Sequence, residues 1–402
     1  MKSTTTNQAD TKPPNLYVVP VRALIFSFSD CVILLSGVIN YSNTVYLDLA
    51  NHKVASAPTA SPMADITSAN STFQGSYYAA LNTLLTTLSM ESQLWAFKFI
   101  VKVIRPLSYI PNPSRYKLNA PNYTKSYPIR PSLTNSIFVP KTFRSGSRLP
   151  LVLDIHGGGW AAFGADDDDH FCRLMADKYS SIVVSIDYRL TPLHRFPEPV
   201  EDVAENIRAV LSDSVIPYDQ TKHISLCGFS AGGSLALSVA QLPDLKSRIT
   251  KIAPIYPLTD FTKCFRGPPK STRAGQKDFL VHIIPMCTWG YVSPGQDLMN
   301  PLLSPVYASR EDLPQDLFVI TAECDFLRHE ARAMAERLAG RELRGTKDAT
   351  QQWEEKEKRV RSCGMPDQVH VFTHLERKGV EEVERNRLCA ELYESLAAWF
   401  KA

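Results

Sequence analysis

The stretch HISLCGFSAGGSLALSVAQL, His223–Leu242, decides how the rest of the chain is read. Its first half is an apolar run of strand length and its second half is rich in helix formers. Between them stands Gly-x-Ser-x-Gly, Gly228 to Gly232. Where a strand runs straight into a helix, that pattern makes a tight turn in which small residues let neighbouring backbones crowd together. Ser230 then projects its hydroxyl above a sheet, with a helix N-terminus behind it to favour developing negative charge. The same letters in a coil would mean only a turn. Their placement after HISLCGF and before SLALSVAQL favours the nucleophile.

Working outward, strands and helices alternate. LPLVLDIH (149–156), SIVVSIDY (181–188), ITKIAPIYPL (249–258) and DLFVITAE (316–323) read as buried strands, and VHVFTH (369–374) as the last one. PVEDVAENIRAVLSD puts Val200, Val203, Ala204, Ile207, Val210 and Leu211 on one helical stripe, and Leu388, Leu392, Leu396 and Trp399 do the same in a closing helix. This alternation predicts a mostly parallel central sheet with helices on both faces. Residues 1–125 read as an N-terminal extension with cap helices, disorder-like in part, and 126–402 as the catalytic domain. Two insertions interrupt the latter: a lid at about 259–296, and a charged helix plus loop at about 340–366.

The 402 residues are 44% hydrophobic and 21% charged, enough for a large packed core. A net charge of +3 with interspersed signs leaves no electrostatic footprint for nucleic acid. The eight cysteines form no CxxC pair, which argues against zinc and for reduced thiols and a cytoplasmic location. Residues 16–39 are strongly apolar but carry Arg22 and Asp30. They read better as an interfacial or cap helix than as a span, which allows peripheral membrane association. Asp166 to Asp169 with His170 suggest a metal loop on composition alone; a solvated helix start is the simpler reading.

HGGGW, His156 to Trp160, follows a strand. Its consecutive glycines can turn backbone N–H groups toward one point and, with the amide of Ala231, form an oxyanion hole. His156 reads as an anchor of that loop. Together with DYRLTPLHRFPEPVEDV (187–203), GFSAGG, NPLLSPVYA (300–308) and TAECDFLRHE (321–330), it makes the chain from about Tyr127 onward resemble the hormone-sensitive-lipase-like family of α/β-hydrolase esterases, with arylacetamide deacetylases as relatives. The resemblance implies an α/β-hydrolase fold with a helical cap from the N-terminal extension and an inserted segment. It also implies serine-esterase activity on small-molecule esters, without cofactor or metal. Ser230 matches the nucleophile, Gly157 and Gly158 the oxyanion donors, and Asp325 the acid that orients a histidine. Asp187, Tyr188 and Arg189 match a structural motif in which an ion-paired Asp and Arg are expected. Phe229 departs from the acid usual before the serine.

The histidine is the difficulty. The family's follows the last strand and is usually followed by Gly and an aromatic. Lys378–Gly379 stands about where His–Gly is expected, and no histidine follows His374. With VHVF read as strand, His370 is placed too early to reach the elbow, so His374 at the strand end is the expected base. A Lys378 base, or a base lost through change or deletion, remains open. Phe279, Trp289 and Tyr291 are candidates for lining an apolar pocket or for packing the cap. Beside ester hydrolysis stand two alternatives: a catalytically impaired protein that binds a small ligand, and an acyl-transferring or amide-cleaving relative.

Overall fold

The computed structural model describes residues 89–109, 118–222, 224–342, 350, 352–377 and 379–402. Residues 16–39, most of the N-terminal extension and Lys378 lie outside the described residues. Among the described residues no helix is long and apolar enough to cross a membrane.

The described strands form one sheet: β1 Tyr123–Tyr127, β2 Arg130–Phe138, β3 Leu151–Ile155, β4 Ile182–Ile186, β5 Ile224–Phe229, β6 Ile249–Ile255, β7 Asp316–Ala322, β8 Trp353–Glu355 and β9 Val360–Met365, in the order β1-β2-β4-β3-β5-β6-β7-β9-β8. The run β4-β3-β5-β6-β7-β9 is parallel, while β1, β2 and β8 join antiparallel at the two edges. Strands β3 and β4 are buried at every position, as parallel strands covered on both faces must be, which is why their sequences are nearly unbroken apolar runs. The period of two then divides them between layers. Leu151, Leu153 and Ile155 face one core, Val152 the other. Helices α3 (Glu198–Ser212), α4 (Ala231–Val239) and α7 (Arg328–Leu338) fill the first with Ile207, Leu235 and Met334; α2 (Asp169–Tyr179) and α8 (Gly379–Lys401) fill the second with Met175, Leu392 and Leu396.

A third, smaller cluster forms the cap. Leu94, Phe97 and Val101 of α1 (Met90–Tyr109) pack on Ile283, Met286 and Cys287 of α6 (Leu280–Tyr291), over Ala161 and Ala162 beyond β3. A further helix, α5 (Pro243–Lys246), is one turn before β6.

Two expectations need correction. Residues 369–374 are not the last strand but a turn, and the last parallel strand is β9, within the segment expected to be a solvated helix and loop. VHVF alternates like a strand, but Val369 and Phe372 are buried from a turn in which Val371 has φ 52°. In contrast, β9 carries Arg361, which is kept by laying its guanidinium over the Phe318 ring, 4.3 Å from the centroid, and donating to Ser395 Oγ at 3.0 Å.

Candidate active site

Strand β5 ends at Phe229 and α4 begins at Ala231, so Ser230 alone makes the corner. Its φ of 54° and ψ of −116° lie in a sparsely populated region, which costs a non-glycine residue about 1–3 kcal/mol. The Ser230 N–H donates to Ile255 O at 2.9 Å, and its carbonyl accepts the Ser234 N–H at 3.1 Å, so both neighbouring elements hold the strained residue. Gly232 makes the corner possible, because a Cβ there would stand 2.0 Å from Ile155 O at the end of β3.

Asp325 sits in the turn after β7, fully buried, and its Oδ1 accepts the Leu327 N–H at 2.7 Å. Its Oδ2 lies 2.9 Å from Nδ1 of His370, in the turn after β9, and His370 Nε2 lies 2.7 Å from Ser230 Oγ. A carboxylate only accepts, so Nδ1 carries the proton and Nε2 turns its lone pair to the Ser230 hydroxyl. Burial alone would lower the His370 pKa, but the charge and hydrogen bond of Asp325, helped by Asp278 and Glu330, outweigh it and hold the pKa above the ordinary value.

With this geometry, the likeness to known proteins becomes informative. A family model for the alpha/beta hydrolase fold matches residues 152–374, more than half of the chain. The chain belongs to that family. The arylesterase of Saccharolobus solfataricus is 32% identical over 194 residues, 47% of this chain and 61% of that protein. Mouse arylacetamide deacetylase is 38% identical over 129 residues, 30% of this chain and 32% of that protein. The chain thus spans less than two thirds of the length of these curated relatives. Among solved structures, a hyperthermophilic esterase from the archaeon Pyrobaculum calidifontis is 25% identical with a TM-score of 0.57, covering 75% of this chain and 90% of that one.

In this α/β hydrolase the glycine loop lies against the elbow: a Cβ on Gly157 would meet Phe229 O at 3.0 Å and Ser230 Cβ at 3.6 Å. Gly158 has φ 106°, and a Cβ there would collide with Ala162 O at 2.1 Å, so only glycine passes. The loop is pinned from below. The buried His156 ring stacks on Tyr188 with centroids 4.2 Å apart, its Nδ1 meets Gly157 O at 2.8 Å, and the Tyr188 hydroxyl donates to the same carbonyl at 3.2 Å. Arg189 does form a two-pronged ion pair, but with Asp202, at 2.8 and 2.7 Å, rather than with Asp187.

His374 is not beside Ser230, and the expectation that it reaches the elbow is corrected. Its Nε2 meets Asp168 Oδ1 at 2.6 Å, and its Nδ1 meets Thr373 Oγ1 at 2.8 Å. The ring edge-packs on Phe229, centroids 4.9 Å apart, on the layer of the sheet filled by α2 and α8. Ending β9 at Met365 brings the following turn round early, so His370, not His374, comes over the elbow. Its signal was in the sequence: His370–Val371–Phe372 is the His–Gly–aromatic pattern with valine at the glycine position, and that valine has the positive φ that glycine would favour. Of the three lining candidates, Tyr291 packs in the core on Trp160, centroids 4.3 Å apart, and Trp289 lies at the surface under the Arg195 guanidinium. Phe279 packs against the cap cluster.

Proposed function

We propose that this chain hydrolyses small carboxylic esters through an acyl-enzyme on Ser230. The observation that carries the reading is the unbroken chain of hydrogen bonds Asp325–His370–Ser230. As Ser230 Oγ attacks the acyl carbon, its proton passes to His370 Nε2, and Asp325 stabilises the imidazolium through Nδ1–H. The negative charge that develops on the carbonyl oxygen is received by the N–H groups of Gly157, Gly158 and Ala231, each such donor being worth about 3 kcal/mol. Collapse breaks the ester bond, and the leaving alkoxide takes the proton from Nε2. Water then attacks the acyl-enzyme, gives a proton to Nε2, and the proton returns to Ser230 as the acid leaves. The named relatives are esterases and a deacetylase, which fits this class without fixing a substrate.

A binding protein with an impaired site would have been favoured by a missing base. With His370 standing at Ser230, nothing specific favours it. Free cysteines, six of the seven described ones buried, support a reducing, cytoplasmic setting. Peripheral membrane association through residues 16–39 belongs to the same proposal and is tested by fractionation with and without residues 1–50. The decisive experiment for the chemistry is fluorophosphonate labelling with p-nitrophenyl acetate turnover. Both are expected in the native chain and absent in Ser230→Ala and His370→Ala; activity that survives either substitution overturns the reading.

A further inference from the structure

The segment inserted between β6 and β7 runs past both turns that carry the site. Arg328 at the start of α7 donates to Asp325 O at 2.8 Å and to Pro268 O of the insertion at 2.7 Å. Arg273 N–H donates to Asp367 Oδ1 at 2.7 Å, in the turn that leads to His370, and Lys270 pairs with Glu323 at the end of β7. The segment therefore straps the acid turn and the histidine turn together. Its innermost member is Asp278, two residues before α6 and 3% exposed. Asp278 Oδ2 accepts the Phe326 N–H at 2.6 Å, and Oδ1 accepts the Leu280 N–H at 3.0 Å. One carboxylate thus joins the foot of the cap helix to the residue that follows Asp325.

Two amide donors, one to each oxygen, are what an ionised carboxyl accepts best. Yet the site is a costly one for a negative charge. Burial, and then the charge of Asp325, push the Asp278 pKa up to about 7. A neutral Asn or Ser would cap the helix at less expense. We propose that Asp278 is a positioning residue through which the cap fixes the Asp325 turn, and with it the carboxylate that meets His370. The proposal rests on reading Asp325–His370–Ser230 as the catalytic chain. The groups that face Asp278 are Asp325 and Arg328 at the acid turn and His370 from the turn after β9, with Glu330 of α7 also acting on His370. Lys277 and His282 flank it along its own segment.

The test is the pH titration of the His370 ring by NMR in the full chain, its resonance identified by loss in His370→Gln. Asn has one acceptor oxygen where Asp278 uses two, so one tie opens, the Asp325–His370 pair loosens, and Asp278→Asn moves the midpoint down by about half a pH unit or more. Asp278→Glu, which keeps both acceptor oxygens, restores it. Turnover of p-nitrophenyl acetate by Asp278→Asn falls on the order of tenfold in kcat, with KM within about twofold. Should Asp278→Asn fail to fold, Asp278→Ser gives the same readout. An unmoved midpoint in a folded neutral variant overturns the proposal. A wild-type chain that hydrolyses no ester would overturn the hydrolase reading instead, while the titration would still decide the role of Asp278.

Discussion

Two histidines four residues apart, His370 and His374, each meet a buried aspartate, at 2.9 and 2.6 Å. A catalogue of pairs would rate them alike. What separates them is the environment of the rest of the ring. His370 presents its second nitrogen to a strained serine, and its pKa is raised because two further carboxylates reinforce Asp325. His374 presents its second nitrogen to Thr373, and burial lowers its pKa. Its partner Asp168 is pushed up to about 7, first by burial. One imidazole holds a proton more readily than a free histidine and the other less readily. A histidine beside a carboxylate is therefore not a base by that fact alone; the group at its other nitrogen and the local charge decide.

The largest expected effect would break the comparison if it failed. His370→Ala lowers kcat/KM for p-nitrophenyl acetate on the order of 10⁴-fold or more, since triad members act as a unit. His374→Ala leaves kcat/KM within about tenfold. It instead lowers stability to denaturant by about 1–2 kcal/mol, because Asp168 loses its partner. The 28% exposure of the His374 side chain keeps that cost at the lower end, as water can enter. A catalytic collapse in His374→Ala would reverse the assignment.

The aspartates sharpen the contrast. Asp325→Asn offers an amide N–H or a weaker acceptor to His370 Nδ1, so the wrong tautomer is favoured and kcat falls about 10⁴-fold. Asp168→Asn replaces a carboxyl that burial already holds largely protonated below about pH 7. It should change stability by less than about 1 kcal/mol and kcat hardly at all. Steady-state kinetics and urea unfolding on the two variants separate these outcomes.

The pH dependence follows from the raised His370 pKa. The reaction needs neutral imidazole, so activity falls as pH drops through that value. The acid limb of kcat/KM is expected above the ordinary histidine value of roughly 6.5. His374→Asn should leave the limb in place. A limb governed by His374 would lie below 6.5, since burial lowers that group.

How far this was legible in the sequence depends on the kind of signal. Strands such as β3 and β4 are buried on both faces, so their identity was written in unbroken apolar runs. The elbow and the Gly157–Gly158 loop were legible because backbone crowding admits few residue types. Strand β9 was not, since VRSCGM mixes polar and apolar residues and its arginine is accommodated by tertiary contacts with Phe318 and Ser395. That one misplaced strand moved the following turn, and with it the choice of histidine. Asp278 was invisible for another reason: nothing local marks a carboxylate that will meet the amide of Phe326, 48 residues away.

The smallest effect tests the residue that hid the site. Val371 has φ 52°, where a β-branched side chain is strained by about 1–2 kcal/mol. It is half-buried and packs on the core filled by α2 and α8. Val371→Gly relieves the strain but forfeits about half of a valine's burial, about 1 kcal/mol, and loosens the unfolded chain by about 0.4–1 kcal/mol. These terms nearly cancel, so the net change should be under about 1 kcal/mol, with kcat preserved because His370 keeps its place. Val371→Ala loses the same packing while retaining a Cβ at positive φ. It should therefore be less stable than the glycine variant by about 1 kcal/mol, the reverse of the order at an ordinary position. Urea midpoints for the two variants decide it. If alanine proves the more stable, the turn does not hold Val371 in that conformation, and the route that brings His370 to Ser230 would have to be redrawn.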